Sequence, residues 1–454
     1  MAKLIRLLVS LLIAGFIFEA CNSDDTAESD RVTWATDIAP IVFDNCVPCH
    51  RPGQPGPFPL TSYKDVAKRS KMVAFVTESR YMPPWPADHT YQSFLGEKIL
   101  SDQEIELIQK WHKQGAPRGK KRNEPEVPSY PKGSQLGTPD LVLHVQPHLV
   151  PGENRDEFFI MKVPYEIPEE KYVRAAEFVP GRNQLVHHMN GHLILYQEGR
   201  KNDVFKGEYV VDSELFTDTE IYEMMDVLND DGSYPVLDPL VVNYLPGVIA
   251  SEYPGGIGGF KMSKKGAFMI HDMHYAPIPT DQWDSSRINI FFMDTPPSRP
   301  TYEIQMGTYG ISKIVPDFII PADTVMTFHT KAALEEDISL LTINPHMHLL
   351  GQDFWAFALL PSGDTLPLIK IPRWDFHWQY FYTFEKMLKI PKGSVIHVYA
   401  TFDNTANNPE NPFNPPQLID AQRDVSMRTT DEMLQFIMTY LPYQEGDEEI
   451  RLGE

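Results

Sequence analysis

The sequence predicts a multidomain chain: a small all-α domain followed by two all-β jelly-roll sandwich domains. Three observations lead there. A capped amphipathic helical pattern closes the N-terminal region at residues 101–111. From Asp140 onward the pattern changes to many short apolar or alternating runs between Pro, Gly, Asn and Asp, the signature of strands. At 454 residues the length prior is about three domains, and the strand-patterned part is too long for one sandwich, which places a boundary near residue 300.

The leader comes first. Lys3 and Arg6 give a basic start, and Leu7 to Phe18 is an apolar run too short to span a bilayer comfortably. Phe18-Glu19-Ala20-Cys21 resembles a lipoprotein signal box, with residues 1–21 as the signal and Cys21 as the lipidated residue. Asn22-Ser23-Asp24-Asp25 resembles the export tags of some Gram-negative surface lipoproteins. A plain secretory peptide is the other reading, and both deliver the chain outside the cytoplasm. The expected location is the periplasm or cell surface, with a lipid anchor in the outer membrane of a Gram-negative bacterium as the membrane attachment. A formal net charge of −22 excludes nucleic acid as a partner, because phosphate neutralisation needs clustered Lys and Arg. The same charge suits steering of a basic electron-donor protein.

Residues 31–119 form the predicted helical domain. Cys46-Val47-Pro48-Cys49-His50 is C-x-x-C-H, the covalent attachment sequence of a c-type haem, with Cys46 and Cys49 as the thioether sites and His50 as an axial iron ligand. The chain has three cysteines; this motif and Cys21 account for all of them, so none is left for a disulfide. One haem c per chain and a cytochrome c domain follow. Met82, in Arg80-Tyr81-Met82-Pro83-Pro84-Trp85, is the candidate sixth ligand, since the prolines stiffen the backbone that presents it. Met72 competes, but its helical-looking surroundings suit packing. Ser101 caps the last helix, Glu104 closes a capping box, Ile105, Ile108 and Trp111 share one face, and Gly115 stops it. Residues 120–139, rich in Lys, Pro, Gly and Glu, read as a linker. The two sandwiches are expected over 140–300 and 301–445.

Five histidines and a late methionine stand out within these sandwiches. His346 and His348 are spaced i, i+2 and project from one face of a strand. His187 and His188 are adjacent and would point oppositely on a regular strand. They meet one ion only if the backbone bends or the rings use different nitrogens. His274 and Met433 complete two three-ligand sets. An uncharged thioether is a poor ligand for magnesium, calcium or zinc and a good one for Cu(I). The set therefore predicts two coppers per chain, and redox chemistry with them.

The order of these pieces resembles the copper type II monooxygenases, the family of peptidylglycine α-hydroxylating monooxygenase and dopamine β-monooxygenase. The matching strings are Val186-His187-His188-Met189, His274-Tyr275, His346-Met347-His348-Leu349-Leu350-Gly351 and Asp431-Glu432-Met433, and the likeness spans roughly Asp140 to Tyr440. It implies two eight-stranded jelly rolls separated by a solvent-filled cleft. It also implies an electron-storing copper on His187, His188 and His274, and an oxygen-binding copper on His346, His348 and Met433. Departures matter equally. Where the peptide hydroxylases carry a carboxylate-anchoring arginine this chain has Asn344, and Gln435, Ile437 and Asp272 also replace family residues. An amide cannot reproduce a bidentate charged clamp, so peptide amidation is not expected. Asp272, Tyr275, Asn344 and Gln435 are the candidate cleft residues, and His192 and His271 are either partners that orient ligand imidazoles or ordinary strand histidines.

The expected function is a copper-dependent monooxygenase that hydroxylates a C–H bond of an unidentified small organic substrate with O2. Its electrons would come through the fused haem from a reductant or donor protein. The competing readings are a non-catalytic periplasmic copper-binding or redox-sensing protein, and a plain electron-transfer protein.

Overall fold

The structure, a computed structural model, describes residues 31–453 apart from Lys132, Ile249, Ser251 and 423–427. The leader and Cys21 lie outside the described residues.

The predicted fold class needs correction. Strand makes up 36% of the chain and helix 12%, spread over many small sheets, and an all-α cytochrome-like domain is not seen. The helices are few and short. In the N-terminal part they are a π-helical turn Trp34–Ile38, then Ala39–Asn45, Tyr63–Ala67, Ser70–Glu78 and Asp102–Lys113, the longest at 12 residues. The region assigned to a cytochrome domain is also not one compact piece. Trp85–Glu97 belongs to the unit that contains the sheets, because its backbone is tied there: the Asp88 N–H donates to Lys370 O at 2.8 Å and the Leu95 N–H to Thr383 O at 2.7 Å.

The first compact unit comprises residues up to Pro52, Gly56–Pro84 and Lys98–Ser129. Trp34 and Trp111 are fully buried at its centre, 6.2 Å apart, with Phe43 and Tyr63 against Trp34. The Asp102–Lys113 helix starts at the predicted capping box: Glu104 N–H donates to Ser101 Oγ and the Ser101 N–H to Glu104 Oε2. Ile108 and Trp111 are its buried face, and Gly115 follows at φ +81°, where a side chain would be strained.

The second unit comprises Gly53–Pro55, Trp85–Glu97 and Tyr130–Glu454. It holds two pairs of sheets, each a four-stranded sheet sharing a hydrophobic core with a five-stranded one. In the first pair the five-stranded sheet runs Val210–Asp212, Glu157–Glu166, Lys265–Tyr275, Val186–Leu195, Val236–Tyr244. In the second pair the four-stranded sheet runs Tyr302–Gly307, Leu434–Pro442, Ile338–Met347, Tyr382–Ile390. All of these pairings are antiparallel. Both sheets carry candidate ligands on their central strands, where neighbours on either side hold the backbone.

Candidate metal centres

The strands Val186–Leu195 and Lys265–Tyr275 set the first histidine group. Val186 pairs with Tyr275 and His188 with His274, so two steps on one strand match one on the other. His187 is the extra residue of a β-bulge. The bulge solves the problem of adjacent histidines, because it turns His187 toward the face that His188 already occupies. The Nδ1 of His188 lies 3.4 Å from that of His187 and 3.3 Å from that of His274. All three residues offer a ligand atom within 4.8 Å of one another.

The opposite edges of two rings are fixed by carboxylates. His188 donates Nε2–H to Asp272 Oδ2 at 2.8 Å, and His274 donates Nε2–H to Asp156 Oδ1 at 2.6 Å. An ionised carboxylate only accepts, so each of these rings holds a proton on Nε2, and the two Nδ1 atoms face each other in a buried site as the edge a metal ion would use. Burial, and then the neighbouring imidazoles, push His187 down to about 2. Burial also brings His274 down to about 4 against the pull of Asp156. For Asp272 burial works upward, but the electrostatic pull of His188 and its hydrogen bond prevail and hold it far below the usual carboxylate range. Neutral imidazoles beside ionised carboxylates are the donor set a metal needs. The residues fit a metal ion.

The second group lies on the other sheet pair. His346 donates Nδ1–H to Gln379 Oε1 at 2.5 Å, and His348 donates Nδ1–H to Asp431 O at 2.5 Å. Both rings thus keep Nε2 as the unprotonated nitrogen. They stand 5.0 Å apart at 89°, and the buried Nε2 of His346 has no partner. Pairing of His346 with Gln435 and Met347 with Leu434 puts Met433 opposite His348, one step past the last pair. Met433 thus adjoins the end of the strand next to His348, and it is fully buried. Glu432 locks this corner: its carboxylate accepts from the His348 and Leu350 N–H groups at 3.2 and 2.7 Å. Burial pushes it up to about 8.

A segment invisible to sequence reading serves both groups. Phe376 has its ring centroid 6.0 Å from His188 and 5.7 Å from His348, so the two histidines lie within about 12 Å of each other. This phenyl ring is buried, 6% exposed, and neighbours a histidine of each group. His377 stands 5.4 Å from His187 and 5.9 Å from His274, and Asp375 beside it raises its pKa. Trp378 stands 5.4 Å from His187, and Gln379 holds His346. Only the aromatic, histidine-bearing string Trp374-Asp375-Phe376-His377-Trp378-Gln379 could have signalled it. Asp156, distant in sequence from His274, carried no signal.

The candidate cleft residues divide. Asp272 orients His188. Asn344 is buried and donates to Tyr380 O at 3.1 Å, and Gln435 donates to Thr308 O at 3.2 Å. Tyr275 is not in the cleft: alternation turns it into the core of the first sheet pair, where its hydroxyl donates to Asp284 at 3.1 Å. His271, buried, and His192, half-buried, form a T-shaped pair with ring centroids 4.3 Å apart.

In the first unit, Cys46 and Cys49 are unbonded thiols, and burial pushes Cys46 up to about 12. His50 donates Nδ1–H to Phe58 O at 3.1 Å, leaving Nε2 as the lone pair an axial ligand must offer. Gly56 cradles this ring, since a Cβ there would sit 2.6 Å from His50 Nδ1. The motif fits a haem. Met82 is half-buried, with its N–H on Val76 O at 3.1 Å, while Met72 is 52% exposed on the Ser70–Glu78 helix and packs little.

No family model matches the chain, and no curated protein does. Among solved structures it is similar to an allantoicase, at 9% identity over 55% of this chain and 78% of that one, with a TM-score of 0.16. It is also similar to the infectious bursal disease virus Gt strain, at 11% identity over 70% and 78%, with a TM-score of 0.16. Likenesses this slight carry no argument about fold or function.

Proposed function

We propose that the chain is a copper-dependent monooxygenase of the type II kind, hydroxylating a C–H bond of a small organic substrate with O2 and fed by a c-type haem on the same chain. One observation carries the reading. Two Nδ1 atoms face each other between carboxylate-held rings, and a second histidine pair, in which the buried Nε2 of His346 has no partner, shares the neighbouring ring of Phe376.

Copper in both sets would supply one-electron redox chemistry and O2 activation, and the thioether of Met433 favours Cu(I) in the second. The chain's own residues prepare the site. Asp156 and Asp272 keep the protons of His274 and His188 on Nε2, away from the ligand edge. Glu432 ties the His348 backbone to the Met433 segment. The buried ring of Phe376 neighbours both sets. Asn344, already engaged with Tyr380 O, offers no charged clamp, so the substrate is one that needs no anchored carboxylate.

Cys46, Cys49, His50 and Met82 would hold the haem, and Cys21 would carry the lipid that anchors the exported chain. Among the described residues no helix is long and apolar enough to cross a membrane. The ring of Phe376 between the sets favours one alternative, a non-catalytic copper-binding or redox-sensing protein. Oxygen uptake coupled to an ¹⁸O-labelled hydroxylated product from ¹⁸O2, lost in His346→Ala, supports the monooxygenase. Copper binding without uptake across a panel of organic substrates supports the alternative.

A further inference from the structure

A line of aromatic rings runs away from the first histidine group through the second unit. His187 stands 5.4 Å from Trp378, Trp378 stacks on Tyr380 at 6.3 Å and 15°, and Tyr380 stands 5.1 Å from Trp85. Tyr382 flanks the far end, 5.9 Å from Tyr380 and 5.4 Å from Trp85. Tyr380 and Tyr382 are buried, and the buried Nε1 of Trp85 has no hydrogen-bond partner. Successive centroids at these separations leave no layer of water between the rings.

Aromatic clusters are ordinary in cores, but the two ends of this one are not. One end is an imidazole of the candidate metal centre. The other, Trp85, follows Met82 by three residues in the sequence. Whatever the arrangement of the two units, the chain itself holds the Met82 backbone within about 11 Å of Trp85. The proposed haem ligand and the relay's outer end are therefore tethered together.

We infer that Trp85, Tyr380 and Trp378 form an electron relay that delivers reducing equivalents from the haem to the metal held by His187, His188 and His274. This rests on the function proposed above and names its internal route. The step moves one electron: ferrous haem iron becomes ferric and a cupric ion at the histidines becomes cuprous. No bond forms or breaks, no proton moves, and the rings end unchanged. Electron tunnelling weakens steeply with each gap between π systems, so loss of one ring slows the transfer while replacement by another ring preserves it.

The test uses the full chain, matured with haem, loaded with Cu(II) and kept anaerobic. The haem is reduced by a flash-excited photosensitiser with a sacrificial amine as the electron donor, its reoxidation is followed by its visible absorption, and loss of the Cu(II) signal is followed by electron paramagnetic resonance. Trp378→Leu is expected to slow reoxidation about tenfold, equivalent to ~1.4 kcal/mol on the barrier, with Trp378→Phe within about twofold of wild type. Tyr380→Leu and Tyr380→Phe should divide in the same way. Copper and haem contents and an unchanged Cu(II) spectrum establish that each variant is folded with its site intact. Equal rates in Trp378→Leu, Tyr380→Leu and wild type overturn the relay and leave the metal reading standing. Wild-type protein that holds both groups but passes no electron does the same. A chain that binds haem and no copper overturns both.

Discussion

His188 Nε2 lies 2.8 Å from Asp272 Oδ2, and this bond decides what the other edge of the ring can do. With a proton held on Nε2, Nδ1 is the edge that faces the corresponding atom of His274, at 3.3 Å. Asp156 imposes the same condition on His274.

Removing that condition should weaken metal binding without deleting a ligand. Asp272→Asn and Asp156→Asn are each expected to lower copper affinity at the first group by about 10–100-fold, the usual worth of such partners. Competition with a chelator of known affinity measures it. Unchanged affinity in both variants would mean that the carboxylates are structural only.

Glu432 should act on the second group alone. Glu432→Leu leaves the buried N–H groups of His348 and Leu350 without acceptors, at a cost of about 1–3 kcal/mol each. The expected result is loss of one copper per chain, with the first group still loaded, together with a lower urea midpoint. Loss of both coppers with the fold retained would contradict the separation of the sites.

These residues mark the limit of sequence reading. The i, i+2 spacing of His346 and His348 was legible because alternation on a strand is strict. The Ser101 capping box was legible because it is local. The bulge at His187 was not, since it exists only in the pairing of two strands distant in sequence. Asp156, Gln379 and Phe376 reach the ligands from loops; nothing in the local sequence marks Asp156, and the aromatic string 374–379 says nothing of which histidines it meets. The predicted all-α domain failed because local helical patterns do not say which segments pack together. Trp85–Glu97 sits inside the assigned region, yet hydrogen-bonds to Lys370 and Thr383.

The haem motif predicts a steric effect at Gly56. A methyl group there would meet the His50 ring at 2.6 Å and backbone oxygen of Cys49 at 2.8 Å. Gly56→Ala is expected to displace His50, reducing covalent haem yield or shifting the absorption spectrum toward a form lacking this ligand. The pyridine haemochrome assay and the visible spectrum report it. A normal yield with an unchanged spectrum would show that His50 does not need its present position.

Acid should destabilise the metal-free protein through its buried histidines. Burial lowers His192 and His274 to about 4 and His346 to about 3 from an ordinary 6.5. Below pH 6.5 the unfolded chain therefore takes up protons that the folded chain refuses. Stability is full above that pH and falls as pH drops toward the folded values. At about pH 5.5 each such histidine costs roughly 1 kcal/mol. Urea unfolding at pH 7.5 and 5.5 measures this. His192→Leu, which touches no ligand, should flatten the acid loss by about one proton.

Metal and haem content of the full chain, matured in a periplasm and reconstituted with copper, tests the central claim most directly. Two coppers and one haem per chain are expected, falling to one copper in His346→Ala and one in His274→Ala. Haem with no tightly bound copper would contradict that claim and leave an electron-transfer protein.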